Sequence, residues 1–91
     1  MEKKVILLTG ASSGIGYQTA EYLAKQGHRV YGAARRVEQI EALAPVGVKA
    51  LHLDVTSDES IEAAVAEVMR AEGRIDVLVN NAGYGSYGAV E

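Results

Sequence analysis

The fold class this sequence predicts is a doubly wound α/β sheet with parallel strands, on three observations. Apolar runs of strand length alternate with stretches of helical period through four strands. The connections between them are short. A glycine-rich loop, Gly10 to Gly16, stands at the first strand-to-helix turn. Strands alternating with helices imply helices on both faces of a parallel sheet. Right-handed crossovers then arrange a β-α-β-α-β-α-β chain in strand order 3-2-1-4.

The first strand is the continuous apolar run Val5, Ile6, Leu7 and Leu8, which stops at Thr9 and Gly10. A run with no polar alternation is buried on both faces, as in the middle of a parallel sheet. A helix is predicted over 14–26, with Ile15, Ala20, Leu23 and Ala24 inward and Gly27 as its stop. Residues 29–34 form the second strand, and its small residues leave room for something bulky nearby. Residues 37–43 form a short helix that ends near Pro45, Val46 and Gly47. The third strand is 48–53, closed by Asp54. Thr56 and Glu59 have the spacing of a capping box. The helix after them places Ile61, Ala64, Val65, Val68 and Met69 on one face and ends at Gly73. The fourth strand is 75–80.

Composition narrows the function classes. The chain has 91 residues, a net charge of −3 and no cysteine. Disulfides and thiolate zinc sites are therefore excluded. A general nucleic-acid binder would want a basic face, and the basic residues here are scattered apart from two pairs, Lys3-Lys4 and Arg35-Arg36. Two histidines, His28 and His52, do not make a metal site. No apolar run approaches the ~20 residues of a membrane span, nor is there a signal-peptide pattern. The expected setting is cytoplasmic, with no membrane and no nucleic-acid partner.

The chemistry gathers at strand ends. Thr9, Gly10, Ala11, Ser12, Ser13, Gly14, Ile15 and Gly16 leave the first strand and open a helix. A helix N-terminus presents unpaired N–H groups and partial positive charge, so it attracts phosphate. Glycines let the backbone approach a pyrophosphate closely, and the serines add hydroxyl donors. Taken alone, the loop also reads as a plain glycine turn. It is not a Walker phosphate loop, because Ile15 stands where lysine is needed.

The loop, Gly-x-x-x-Gly-x-Gly, resembles the cofactor motif of the short-chain dehydrogenase/reductase family. Asn80, Asn81, Ala82 and Gly83 resemble that family's segment after its fourth strand, about 70 positions on. The resemblance runs from Val5 to Tyr87 and implies a Rossmann-type sheet. It also implies that Gly10, Ser12, Ser13, Gly14, Ile15 and Gly16 hold a dinucleotide, that Asp54 accepts from the adenine amino group with Val55 lining the ring, and that Asn81, Ala82 and Gly83 line the cofactor. Strands 1 and 4 are neighbours in the order 3-2-1-4, so both loops flank one crevice.

The end of strand 2 selects the cofactor. An acid about 20 positions past the glycine loop would bind the ribose hydroxyls of NAD. Ala34 stands there, followed by Arg35 and Arg36. Arginine grips a 2′-phosphate with charge-assisted bonds, so NADP is expected ahead of NAD.

The resemblance further implies hydride transfer between NADP(H) and an alcohol/carbonyl substrate, with a tyrosine and a lysine four residues on as the acid/base pair. No Tyr-x-x-x-Lys occurs among the 91 residues. The expectation is therefore a cofactor-binding half, residues 1–91, truncated after strand 4 and inactive alone, from a homo-oligomeric enzyme. Asn81, Ala82, Gly83, Tyr84 and Gly85, with the small and apolar stretch after them, resemble relatives that act on apolar carbonyls, and Tyr84 and Tyr87 read equally as pocket lining or as loop packing. Two alternatives stand beside this: a non-catalytic NAD(P)-binding or redox-sensing module, and a different Rossmann-type binder, of a methyl donor or a flavin.

Overall fold

The structure, a computed structural model, describes residues 3–11, 14–54 and 56–80. Four parallel strands form one sheet: β1 (Val5–Thr9), β2 (Arg29–Ala34), β3 (Val48–His52) and β4 (Val77–Asn80). Their order is β3-β2-β1-β4, as the crossover rule predicts. Every residue of β1 is buried, which is the reason it reads as one unbroken apolar run.

Helix α1 (Gly14–Lys25) and the short α2 (Glu38–Glu41) cover one face. There Ile6 and Leu8 of β1, Val30 of β2 and Val48 of β3 pack with Ala20, Ala24, Ile40 and Leu43. Helix α3 (Asp58–Glu72) covers the other face, where Val5, Leu7, Tyr31 and Ala33 meet Ala64 and Val68. Helices therefore lie on both faces. Among the described residues no helix is long and apolar enough to cross a membrane.

Several details depart from the periodicity. Ile15 is 74% exposed, and Gly16 takes the buried place in the first turn of α1. Side chains in a helix tilt toward its N-terminus, so a first-turn residue overshoots the end of the sheet. The single helix expected over 37–43 is one turn of α-helix followed by a 3₁₀ turn, Ala44–Val46, that ends at Gly47 with φ of 109°. Pro45 cannot donate to a continuing helix, so the chain tightens and stops there. In α3, Ala64 and Val68 are buried and Val65 is half-buried, but Ile61 and Met69 are 37% and 43% exposed. The helix meets the sheet along a narrow line, and no second helix lies beside it among the described residues.

The α3 cap also sits one residue later than expected. Ser57, not Thr56, is the N-cap, and its side chain accepts from the Ser60 N–H at 3.2 Å. Thr56 is committed to Asp54 instead. Strand β4 begins at Val77, two residues late, because the Asp76 side chain takes over from the ladder: the Val5 N–H donates to Asp76 Oδ2 (2.8 Å). The Asp76 N–H still donates to the Val5 carbonyl (2.8 Å).

Candidate functional site

Each strand of a parallel sheet delivers its C-terminal loop to the same edge. Here Gly10 follows β1, Arg35 follows β2, Asp54 follows β3 and the chain leaves β4 after Asn80. Gly10 has φ of 66°, a left-handed conformation open to glycine without strain. Ala11, next to it, is fully buried and donates its N–H to the Ala33 carbonyl of β2 (3.2 Å). The glycine loop is thereby pinned across two strands.

Gly32 makes that docking possible. A Cβ there would meet the Ala11 Cβ at 3.0 Å, Ile40 Cγ2 at 3.0 Å and Val48 Cγ1 at 3.3 Å. The small residues of β2 thus admit the protein's own loop and helix rather than a bulky ligand.

Helix α1 carries no acidic residue in its first turn, whereas α2 and α3 do, with Glu38 and with Asp58 and Glu59. An acid there would compete with an anion for the helix N-terminus. Gly14 is exposed, and among the described residues a Cβ on it would meet nothing within 4 Å. Ile15, next to it, is exposed and not part of the core. Arg35 and Arg36 are both exposed, and neither is ion-paired among the described residues. A helix terminus, open space and two exposed cations suit a phosphorylated ligand.

Asp54 is half-buried. Its Oδ1 accepts from both the hydroxyl (2.7 Å) and the N–H (3.0 Å) of Thr56. Those two bonds hold its carboxyl below the usual aspartate range, with help from the charge on Arg35. It is an acceptor at neutral pH.

Thr9 has a role that the sequence does not announce. Its hydroxyl donates to Asn80 Oδ1 (3.0 Å) and lies 3.4 Å from the Val79 carbonyl. This bond ties the two motif-bearing strand ends together. The signal in the sequence is the polar residue closing an otherwise apolar run. His52 is exposed at the end of β3. Six expected cofactor residues, Ser12, Ser13, Val55, Asn81, Ala82 and Gly83, lie outside the described residues, as do Tyr84 and Tyr87.

Comparison with known proteins agrees with this fold. The family model described as short chain dehydrogenase matches residues 4–91. A 3-ketodihydrosphingosine reductase of Bacteroides thetaiotaomicron is 46% identical over 92 residues, covering 100% of this chain and 32% of the relative. A short-chain dehydrogenase structure from Streptomyces avermitilis superposes with a TM-score of 0.84 at 47% identity, over 90% of this chain and 31% of that one. An actinorhodin polyketide ketoreductase solved with NADPH gives 0.81 at 42%, over 89% and 33%. The chain spans about a third of the length of that 3-ketodihydrosphingosine reductase and of the serine 3-dehydrogenases it also matches.

Proposed function

Because this chain belongs to the short chain dehydrogenase family, we propose that it is the cofactor-binding half, residues 1–91, of an oxidoreductase that uses NADP(H) on an alcohol/carbonyl pair. One observation carries the reading. The acid-free N-terminus of α1, the exposed Arg35 and Arg36, and the Asp54 carboxylate meet at a single edge of the sheet.

In this reading Gly10, Ser12, Ser13, Gly14, Ile15 and Gly16 cradle the pyrophosphate. Exposed Gly14 leaves room for a phosphate oxygen to reach the helix N–H groups. Arg35 and Arg36 take the 2′-phosphate. Asp54 and Val55 hold the adenine, and Asn81, Ala82 and Gly83 face the remainder. The bound cofactor supplies or accepts a hydride. The NADPH bound to the 42% identical ketoreductase supports the choice of ligand. The two arginines, with no acid at the end of β2, favour NADP over NAD.

The proton-transfer machinery is assigned to the rest of the whole protein. None of the 5 tyrosines has a lysine four residues on. Residues 1–91 orient the cofactor and hold its charge.

The test is affinity for NADPH and NADH, followed by nicotinamide fluorescence. The protein should prefer NADPH. Arg35→Ala should weaken NADPH by about tenfold or more, as expected for a lost bond between charged groups, and leave NADH nearly unchanged. Equal losses for both would defeat the 2′-phosphate assignment.

A further inference from the structure

Asp54 is bracketed by more hydrogen bonds than a turn requires. Its N–H donates to Ser60 Oγ (2.8 Å), and its carbonyl accepts from the Ser57 N–H (3.0 Å). Its Oδ1 accepts twice from Thr56. An Asx turn needs one backbone N–H on the carboxylate, and the helix cap needs Ser57 alone. The Thr56 hydroxyl is therefore surplus to both. Thr56 is exposed, and water could satisfy its hydroxyl equally well.

The surplus bond has a consequence for chemistry. A carboxylate rotates about a broad, two-fold torsion, so its two oxygens normally exchange. Two donors on Oδ1 remove that equivalence. Oδ2 has no hydrogen-bond partner among the described residues, and it is the oxygen left for a ligand.

We infer that Thr56 is a positioning residue: its hydroxyl, with its N–H, locks Asp54 so that Oδ2 alone is presented to the exocyclic amino group of a purine. The inference rests on the dinucleotide reading above and adds the residue that sets base selectivity. A base with a donor at position 6 meets a fixed lone pair. A base with an oxo group there meets like partial charge. A freely rotating carboxylate would discriminate less sharply, because it could turn away.

The experiment compares dissociation constants for NADPH and its hypoxanthine counterpart, in which an oxo group replaces the amino group. Wild type should favour the adenine form by about tenfold or more, the range of a hydrogen bond to a charged acceptor. Thr56→Val should reduce that ratio severalfold, mainly by weakening NADPH, while Thr56→Ser should retain it. A purely structural role would weaken both dinucleotides alike, leave the ratio unmoved and overturn the inference. A Thr56→Val protein that matches wild type would also overturn it, with the Asp54 assignment intact. No preference in wild type, together with an unaffected Asp54→Asn variant, would overturn the adenine reading itself. Thr56→Ala, checked by its melting temperature, provides the same comparison should the valine variant fold poorly.

Discussion

At Gly32 a missing methyl group decides how closely the glycine loop approaches the sheet. The ideal Cβ position lies 3.0 Å from Ala11 Cβ and 3.0 Å from Ile40 Cγ2, neither of which is free to move, since both residues are fully buried. Gly32→Ala should destabilise the fold by about 1–3 kcal/mol, the usual cost of overpacking. Chemical denaturation would show it as a lower midpoint at unchanged slope. A stability equal to wild type would mean that Ala11 and Ile40 yield more easily than their burial suggests. In the sequence Gly32 is legible only as a small residue in a strand. Its partners, one 21 positions before it and one 8 after, are set by the fold. Ile15 shows the reverse: an apolar residue at the helical period, it ends exposed and not in the core.

At the scale of elements, helix α3 is fastened at both ends by polar groups. Its N-terminus is bracketed to Asp54. At its C-terminus Glu72 takes a bidentate bond from Arg29 of β2, with contacts of 2.8 to 3.0 Å, and a further bond from the Tyr31 hydroxyl. The Glu72 side chain is only 9% exposed. Arg29 first, then Tyr31, holds its carboxyl below the ordinary 4.5, and the Val5 N–H does the same for Asp76 below 3.8. A carboxylate with a depressed folded value contributes stability that is complete above its ordinary value. That contribution is lost as pH falls through the lower, folded value. The protein should therefore lose stability from about pH 4.5 downward. Glu72→Gln should be less stable at pH 7 and should show a shallower decline in acid. Melting temperatures across pH 3–7 would decide it. Parallel curves for the two proteins would rule out Glu72 as a source of the acid sensitivity. The sequence shows a capped helix here, but neither Ser57 as the cap nor Arg29, 43 positions from Glu72, as the clasp.

For the whole molecule, β4 is a strand with exposed apolar side chains. Leu78 is 61% exposed and Val77 36%, although Leu78 pairs with Leu7, which is 2% exposed. Among the described residues β4 is hydrogen-bonded to β1 alone. Such an edge offers unpaired backbone groups beside apolar side chains, a template for association. The 91-residue chain by itself should associate in a concentration-dependent way, and Leu78→Lys should shift it toward monomer, as charge on an edge strand does. Sedimentation velocity is the check. A wild-type monomer at every concentration, melting cooperatively at high temperature, would show that this edge is tolerated. The strong apolar character of β4 is legible in its sequence. Its exposure is not, because a run buried on both faces in one setting is the same run at an edge.

The series of elements, the parallel sheet and the place of the glycine loop are all readable from the chain before it folds. These depend on local quantities: the length of an apolar run, the period of a helix, and the φ freedom of Gly10, Gly27 and Gly73. Crossover handedness then leaves the order 3-2-1-4 as the favoured one, so topology too is legible. Which side chains meet is settled only on folding. Thr9 joins Asn80 across two strands, Ala11 fits beside Gly32, Ile15 points away from the core, and Thr56 binds Asp54 in place of capping α3. Each of these depends on distances of a few ångströms between groups whose separation along the chain carries no period, and packing is what sets such distances.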